Sequence, residues 1–208
     1  MIEIDEKVKT VLTTYHQRMI MEEELMKSLP MKVGMKRRDE FLLSVGKDAA
    51  VFLNSMIKSA KSKTILEVGT SYGYSTIWLS EAARATGGKV ITLEIDNDKA
   101  TFAKNKIEAA GLSAYVDFKI GNALESIQEA TEQFDFVLLD IWKELYIPCF
   151  DLFFPKLKQG AYVMGDNMIS PAIHQKDAKA YRNHVQKTNA FDSVLLPIGS
   201  GIEVSLLK

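Results

Sequence analysis

Apolar positions near the N-terminus recur at helical spacing. Ile4, Val8, Val11, Leu12, Tyr15 and Met19 would share one face of a helix from Asp5 to about Leu29, ending near Pro30. Met31 to Glu40 reads as irregular, and a second amphipathic helix follows Gly46, with Ala50, Leu53 and Ile57 on one side. The pattern then changes. Short apolar runs at Thr64–Val68, Lys89–Glu94, Tyr115–Ile120, Phe134–Asp140 and Gly160–Gly165 predict strands. Helical stretches alternate with them at Ser75–Ala85, Asn97–Ala110, Ala123–Thr131, Glu144–Phe154 and Pro171–Thr188. Such alternation implies a mainly parallel sheet covered on both faces. Phe191–Leu196 and Ile202–Leu207 have no helix between them and predict an antiparallel hairpin at one edge.

Composition narrows the class. The 208 residues are 47% hydrophobic and 25% charged, which is ordinary for a globular chain. No linker or repeat interrupts it. The expectation is one domain over 1–208, with a helical arm and cap over 1–60 and an α/β core over 61–208. Twenty-six basic and 27 acidic residues give a net charge of −1, unlike a nucleic-acid coat protein. The basic run Lys32, Lys36, Arg37 and Arg38 is a local exception. Cys149, the single cysteine, excludes an internal disulfide and a multi-cysteine zinc site. With no signal-peptide layout and no apolar run of ~18–20 residues, the sequence reads as cytoplasmic, with no membrane partner.

In open α/β sheets, ligands bind beyond the carboxyl ends of the strands. The strand ends here carry Glu67 and Gly69–Gly73, then Glu94, then Asn122-Ala123, then Asp140 to Lys143, then Asp166-Asn167. Helix capping or turn formation explains one or two of these, not all five. Gly69 and Gly73 allow a backbone to approach a ligand and open a helix. The pattern is Gly-x-x-x-Gly, with Ser71 where a dinucleotide fingerprint has its middle glycine, and no Walker ending follows. Glu94, at the tip of the second strand, is placed to accept the ribose hydroxyls of a nucleoside.

These residues resemble a known family. Glu67-Val-Gly-Thr-Ser-Tyr-Gly-Tyr-Ser75 followed by Glu94 resembles the cofactor half of class I S-adenosylmethionine-dependent methyltransferases. Asp140-Ile-Trp-Lys143-Glu-Leu-Tyr146 followed by Asp166-Asn167 resembles the cation-dependent O-methyltransferases of the catechol and caffeoyl-CoA type. The resemblance runs from about Val45 to Lys208. It implies a Rossmann-like α/β fold, a three-layer sandwich with a seven-stranded, mostly parallel sheet and an antiparallel C-terminal edge hairpin. It implies that Asp140, Asp166 and Asn167 hold a divalent cation and that Lys143 is the general base. It places Val45, Glu67, Gly69, Ser71, Gly73, Ser75, Glu94, Asn122, Ala123 and Asp140 around S-adenosylmethionine. Glu203 falls where catechol-type enzymes set an acid against the second hydroxyl. A homodimer through the arm is implied as well.

The chemistry of the residues agrees. Two carboxylates and an amide are hard oxygen ligands suited to Mg²⁺ foremost, or to Mn²⁺ or Ca²⁺. His16, His174 and His184 are scattered and form no zinc set. A free lysine is protonated at neutral pH, and burial beside a cation favours the neutral amine a base requires. Trp142 would wall an aromatic substrate or pack in the core. The leading expectation is methyl transfer to a hydroxyl of a small catechol-like or phenolic molecule. The alternative is a tRNA hydroxyuridine, for which the basic run would contact phosphate. A non-catalytic cofactor-binding protein fits poorly with intact Asp140, Lys143, Asp166 and Asn167. A nicotinamide oxidoreductase lacks its glycine fingerprint.

Overall fold

The computed structural model describes residues 4–208, except for the side chains of Met31, Met35 and Arg38. The part of the basic run carried by the Arg38 side chain therefore lies outside what the structure describes. The N-terminal spacing becomes helix α1 (Glu6–Ser28), started by Asp5, whose carboxylate accepts the Lys7 amide. The segment expected to be irregular is partly helical: α2 spans Met31–Lys36. Pro30 starts it, since its preset φ suits a helix start and its carbonyl accepts the Val33 and Gly34 amides. Six residues are too short to display a period in sequence. Helix α3 is Lys47–Ala60.

The core follows as β1 (Thr64–Val68), α4 (Tyr74–Thr86), β2 (Lys89–Glu94), α5 (Asn97–Ala109), β3 (Val116–Ile120), α6 (Ala123–Glu129) and β4 (Phe134–Leu139). Then come α7 (Tyr146–Phe153), β5 (Leu157–Gly165), α8 (Gln175–Lys187), β6 (Phe191–Leu196) and β7 (Ile202–Leu207). Strand β5 begins earlier than the apolar run at Gly160 predicts. Leu157 already pairs with Phe134, and the register shifts before Phe136 meets Tyr162, which breaks the apolar pattern. Pro148 lies in the first turn of α7, where no helical partner for its missing N–H is needed.

The seven strands are ordered β3-β2-β1-β4-β5-β7-β6. The β1, β2, β3, β4 and β5 pairings are parallel; β7 runs antiparallel to β5 and β6. Alternation along the strands divides the core between the two faces. Ile65, Phe136 and Leu138 pack with α1, α3, α4 and α5 through Val11, Leu53, Ile77 and Ile107. Leu66, Val137 and Leu139 pack with α6, α7 and α8 through Ile127, Phe150 and Tyr181. The chain reverses its direction of winding between β1 and β4, so the carboxyl ends of these strands open a crevice. Among the described residues no helix is long and apolar enough to cross a membrane.

Candidate active site

The turn after β1 is pressed against the end of β4. A Cβ on Gly69, whose φ is +105°, would lie 2.0 Å from the Asp140 carbonyl oxygen, so no side chain fits there. The Gly69 and Thr70 amides both donate to the Leu93 carbonyl at the end of β2. Glu94 completes the attachment. Its carboxylate accepts the Ser71 amide at 2.7 Å and the Ile95 and Asp96 amides at 2.9 Å. The turn faces Leu42, Ser44 and Val45 across a narrow cleft that also touches Ser75 and Asp140. Of the residues expected around the cofactor, Val45, Gly69, Ser71, Ser75 and Asp140 line this cleft. Gly73 lies behind it, where a Cβ would come within 2.7 Å of Ala103 Cβ. Asn122 caps α6, accepting the Leu124 amide at 2.9 Å, and Ala123 opens that helix. Among the described residues no side chain caps the N-terminus of α4, which starts at the cleft and favours an anion.

Glu67 lies beneath the turn rather than in it. Its carboxylate is fully buried and accepts the hydroxyls of Ser75 (2.6 Å), Thr76 (2.7 Å) and Thr92 (2.6 Å). Thr70 and Thr92 are themselves hydrogen-bonded through their hydroxyls, so this network joins the glycine turn, β2 and α4. Burial pushes the Glu67 carboxyl up to about 7; the hydroxyl donors oppose the rise and Asp140 adds to it. Between its ordinary value of 4.5 and about 7, the folded protein retains a proton that the unfolded chain has released. Stability therefore falls as pH rises through that window and levels off above it. Glu67→Gln removes this dependence. Its stability relative to wild type should rise by roughly 2–3 kcal/mol between about pH 5 and about pH 8. Chemical denaturation at both pH values checks this; a gap that does not change with pH would contradict it.

The acidic end of the crevice comes from neighbouring strands. Asp140 follows β4 and its amide donates to the Val68 carbonyl; Asp166 follows β5 and its amide donates to the Leu139 carbonyl, both at 3.0 Å. Asn167 adopts a left-handed backbone with φ +54°. Asp166 is buried, and its Oδ1 has no hydrogen-bond partner among the described residues. Its carboxyl is pushed up to about 8, first by burial and then by the Asp140 charge, while the Asn167 amide and Lys143 act in the opposite direction. A buried carboxylate oxygen without a donor, beside a second carboxylate, is an arrangement that a cation satisfies. Among the described residues no group of three His, Cys, Asp or Glu gathers, so the available donor set is these two carboxylates and the amide.

Lys143 is buried as a short 3₁₀ turn (Lys143–Leu145) leads into α7. Its Nζ donates to the Tyr146 hydroxyl at 2.5 Å and to Asn167 Oδ1 at 3.5 Å, and lies 3.8 Å from the Tyr146 ring centroid. Tyr146 in turn donates to the Leu139 carbonyl at 2.7 Å. Sequence reading gave Tyr146 no role. The available signal was its position three residues after Lys143 at a helix start, on the same side of the turn.

Trp142 is 45% exposed on the loop after β4, with Ile169 and Ile173 also exposed. That exposure takes it out of the core, one of its two expected places. Glu203 pairs in register with Gly165, one residue before Asp166. Its carboxylate is buried and accepts Arg182 Nε at 2.7 Å. Burial raises the Glu203 carboxyl, and Arg182 counteracts the rise. The histidines do not converge: His16 meets Tyr74 and His184 meets Asp151.

Residues 16–207 match the sequence model of an O-methyltransferase family. The chain belongs to this O-methyltransferase family. A catechol O-methyltransferase of Niastella koreensis is 33% identical over 170 residues, covering 80% of this chain and 76% of that protein. Caffeoyl-CoA O-methyltransferase 1 of Arabidopsis thaliana is 27% identical over 184 residues, covering 78% of this chain and 71% of that protein. An O-methyltransferase from Bacillus cereus, solved in complex with S-adenosylhomocysteine, superposes with a TM-score of 0.78 at 25% identity. That superposition covers 100% of this chain and 93% of the other.

Proposed function

We propose that this O-methyltransferase moves the methyl group of S-adenosylmethionine to a hydroxyl oxygen of a small catechol-like or phenolic substrate. In this reading Asp140, Asp166 and Asn167 hold a divalent cation, Mg²⁺ foremost. The observation that carries it is the buried Asp166 Oδ1 without a donor, set beside Asp140 and close to the Lys143–Asn167 contact. The catechol and caffeoyl-CoA relatives support the substrate class.

Bound cofactor supplies an electrophilic methyl, and a bound cation supplies positive charge that favours an ionised substrate hydroxyl. The chain's own residues do the rest. Lys143 takes the hydroxyl proton at Nζ, which Tyr146 fixes from one side through its oxygen and ring face. The Gly69–Gly73 turn, tied to β2 by Glu94, and the facing Val45 hold the methyl donor. The start of α4, with Ser75, suits its carboxylate. Trp142 offers an exposed ring at the rim against which a flat substrate stacks. Methyl transfer gains chiefly from alignment of oxygen, methyl and sulfur, which this rigid strand-end framework favours. A homodimer contact is proposed on α1, where Ile20, Met21 and Leu25 are exposed.

The polynucleotide alternative draws less support from the surface. Arg37 of the basic run is paired with Glu40 at 2.8 Å, and Asp39 approaches Lys99 at 4.0 Å. The test offers catechol and bulk tRNA together to the enzyme with labelled S-adenosylmethionine and Mg²⁺. Label in the extractable catechol ether, with little dependence on salt, is expected. Label in the RNA, falling steeply as salt rises, would overturn the small-molecule reading.

A further inference from the structure

Helix α1 grips both walls of the cofactor cleft. On one wall, Tyr15 donates its hydroxyl to the Tyr72 carbonyl at 2.6 Å, and His16 Nε2 lies 3.0 Å from the Tyr74 hydroxyl. The Arg18 guanidinium stacks over the Tyr72 ring, 4.3 Å from its centroid. On the other wall, Arg18 Nη2 donates to the Glu40 carbonyl at 3.0 Å. Glu22 is the link: its Oε1 accepts Arg18 Nε at 2.6 Å, and its Oε2 accepts the Leu42 amide at 2.8 Å. Ser44 adds a contact to Met19 Sδ at 3.6 Å. Residues 18 and 22 are one helical turn apart, so both reach the 40–44 segment from the same side.

What they grip is a strained piece of chain. Leu43 lines the cleft with φ +44°, a left-handed conformation that an unconstrained leucine avoids. Such a residue keeps this conformation only where its neighbours fix it. Leu42 and Val45 on either side are buried, and the Leu42 amide is the group that Glu22 holds. The Arg18 and Glu22 side chains are 28% and 17% exposed, so the pair is shielded more than an ordinary surface ion pair.

We propose that the Arg18–Glu22 pair is a positioning device for the cofactor, holding residues 42–45 in the strained shape that closes the cleft over the methyl donor. The inference rests on the proposed reading of that cleft as the S-adenosylmethionine site. It gives the N-terminal helix a role in cofactor retention in addition to its packing. Because Arg18 also stacks on Tyr72, the pair spans the mouth and keeps the two walls in register.

The experiment measures S-adenosylmethionine binding by calorimetry for wild type, Glu22→Ala and Glu22→Gln, with hydrogen exchange read at the Leu42 amide. Steady-state methyl transfer is followed for the same three proteins. Loss of a hydrogen bond to a charged acceptor predicts that Glu22→Ala weakens cofactor binding about tenfold or more. The same variant should raise the KM for cofactor, keep kcat at saturating cofactor, and exchange the Leu42 amide faster. Glu22→Gln, which keeps one acceptor oxygen, should restore part of the affinity. Unchanged affinity in both folded variants would overturn the positioning role, as would equal loss of kcat at saturating cofactor. If wild type itself fails to bind the cofactor, the reading of the cleft falls, a result distinct from either of these. Should Glu22→Ala not fold, Glu22→Gln and the Leu42 exchange rate decide the matter alone: normal affinity with faster exchange overturns the proposal, and weakened affinity with faster exchange supports it.

Discussion

Replacing Lys143 with methionine should lower kcat by roughly 10²- to 10⁴-fold while leaving the affinity for S-adenosylmethionine unchanged. Methionine keeps most of the packing of the unbranched side chain and ends one atom short, where the amine nitrogen was. That nitrogen sits between the Tyr146 hydroxyl and Asn167 Oδ1, and the residues lining the cleft proposed for the cofactor do not include Lys143. Lys143→Arg should not restore activity. A guanidinium stays protonated, and its planar fork does not fit a point contact to one hydroxyl. Single-turnover kinetics with calorimetric cofactor binding separates the two quantities. If Lys143→Met lost cofactor affinity in parallel with rate, Lys143 would be part of the scaffold of the site rather than its base.

The second large effect concerns the glycine turn. Gly69→Ala should destabilise the fold by roughly 3 kcal/mol or more, combining backbone strain with an overlap that has no room to relax. The new methyl group would meet the Asp140 carbonyl at 2.0 Å, and that carbonyl belongs to the backbone at the end of β4 rather than to a movable side chain. Cofactor affinity should fall with it, because separating the turn from β4 displaces Ser71 and Asp140 together. Gly46→Ala supplies the comparison. Gly46 also has a positive φ, +83°, yet among the described residues nothing lies within 4 Å of its would-be Cβ. With φ +83° and ψ 159° it occupies an extended positive-φ region that is essentially glycine-only, so the substitution should cost the conformational part alone, about 1–3 kcal/mol. Denaturant titration of both variants tests this; equal losses would mean that the close approach at Gly69 contributes nothing.

The parts of the molecule that sequence made legible are those governed by local pattern. Apolar runs at Ile65–Val68 and Phe136–Leu139 declared buried parallel strands, and the glycines and acids just past them marked the crevice before any geometry was known. Local pattern failed where tertiary contacts decide. Helix α2 is too short to show a period, and its start depends on Pro30. The Glu22 grip on the Leu42 amide joins two segments whose docking no spacing encodes. The Glu203 carboxylate is committed to Arg182, a partner 21 positions away on another element, so a strand-end acid that looks available in sequence is already paired. Tyr146 was visible as a residue but not as a contact, because its importance comes from where the Lys143 side chain folds back.

Methyl transfer from S-adenosylmethionine to catechol, measured in a chelator and then with Mg²⁺ restored, tests the central claim most directly. Turnover should be at background in chelator, return with Mg²⁺, and stay at background for Asp166→Ala under both conditions. Equal turnover with and without chelator, with wild type and Asp166→Ala alike, would contradict the assignment of Asp140, Asp166 and Asn167 to a cation.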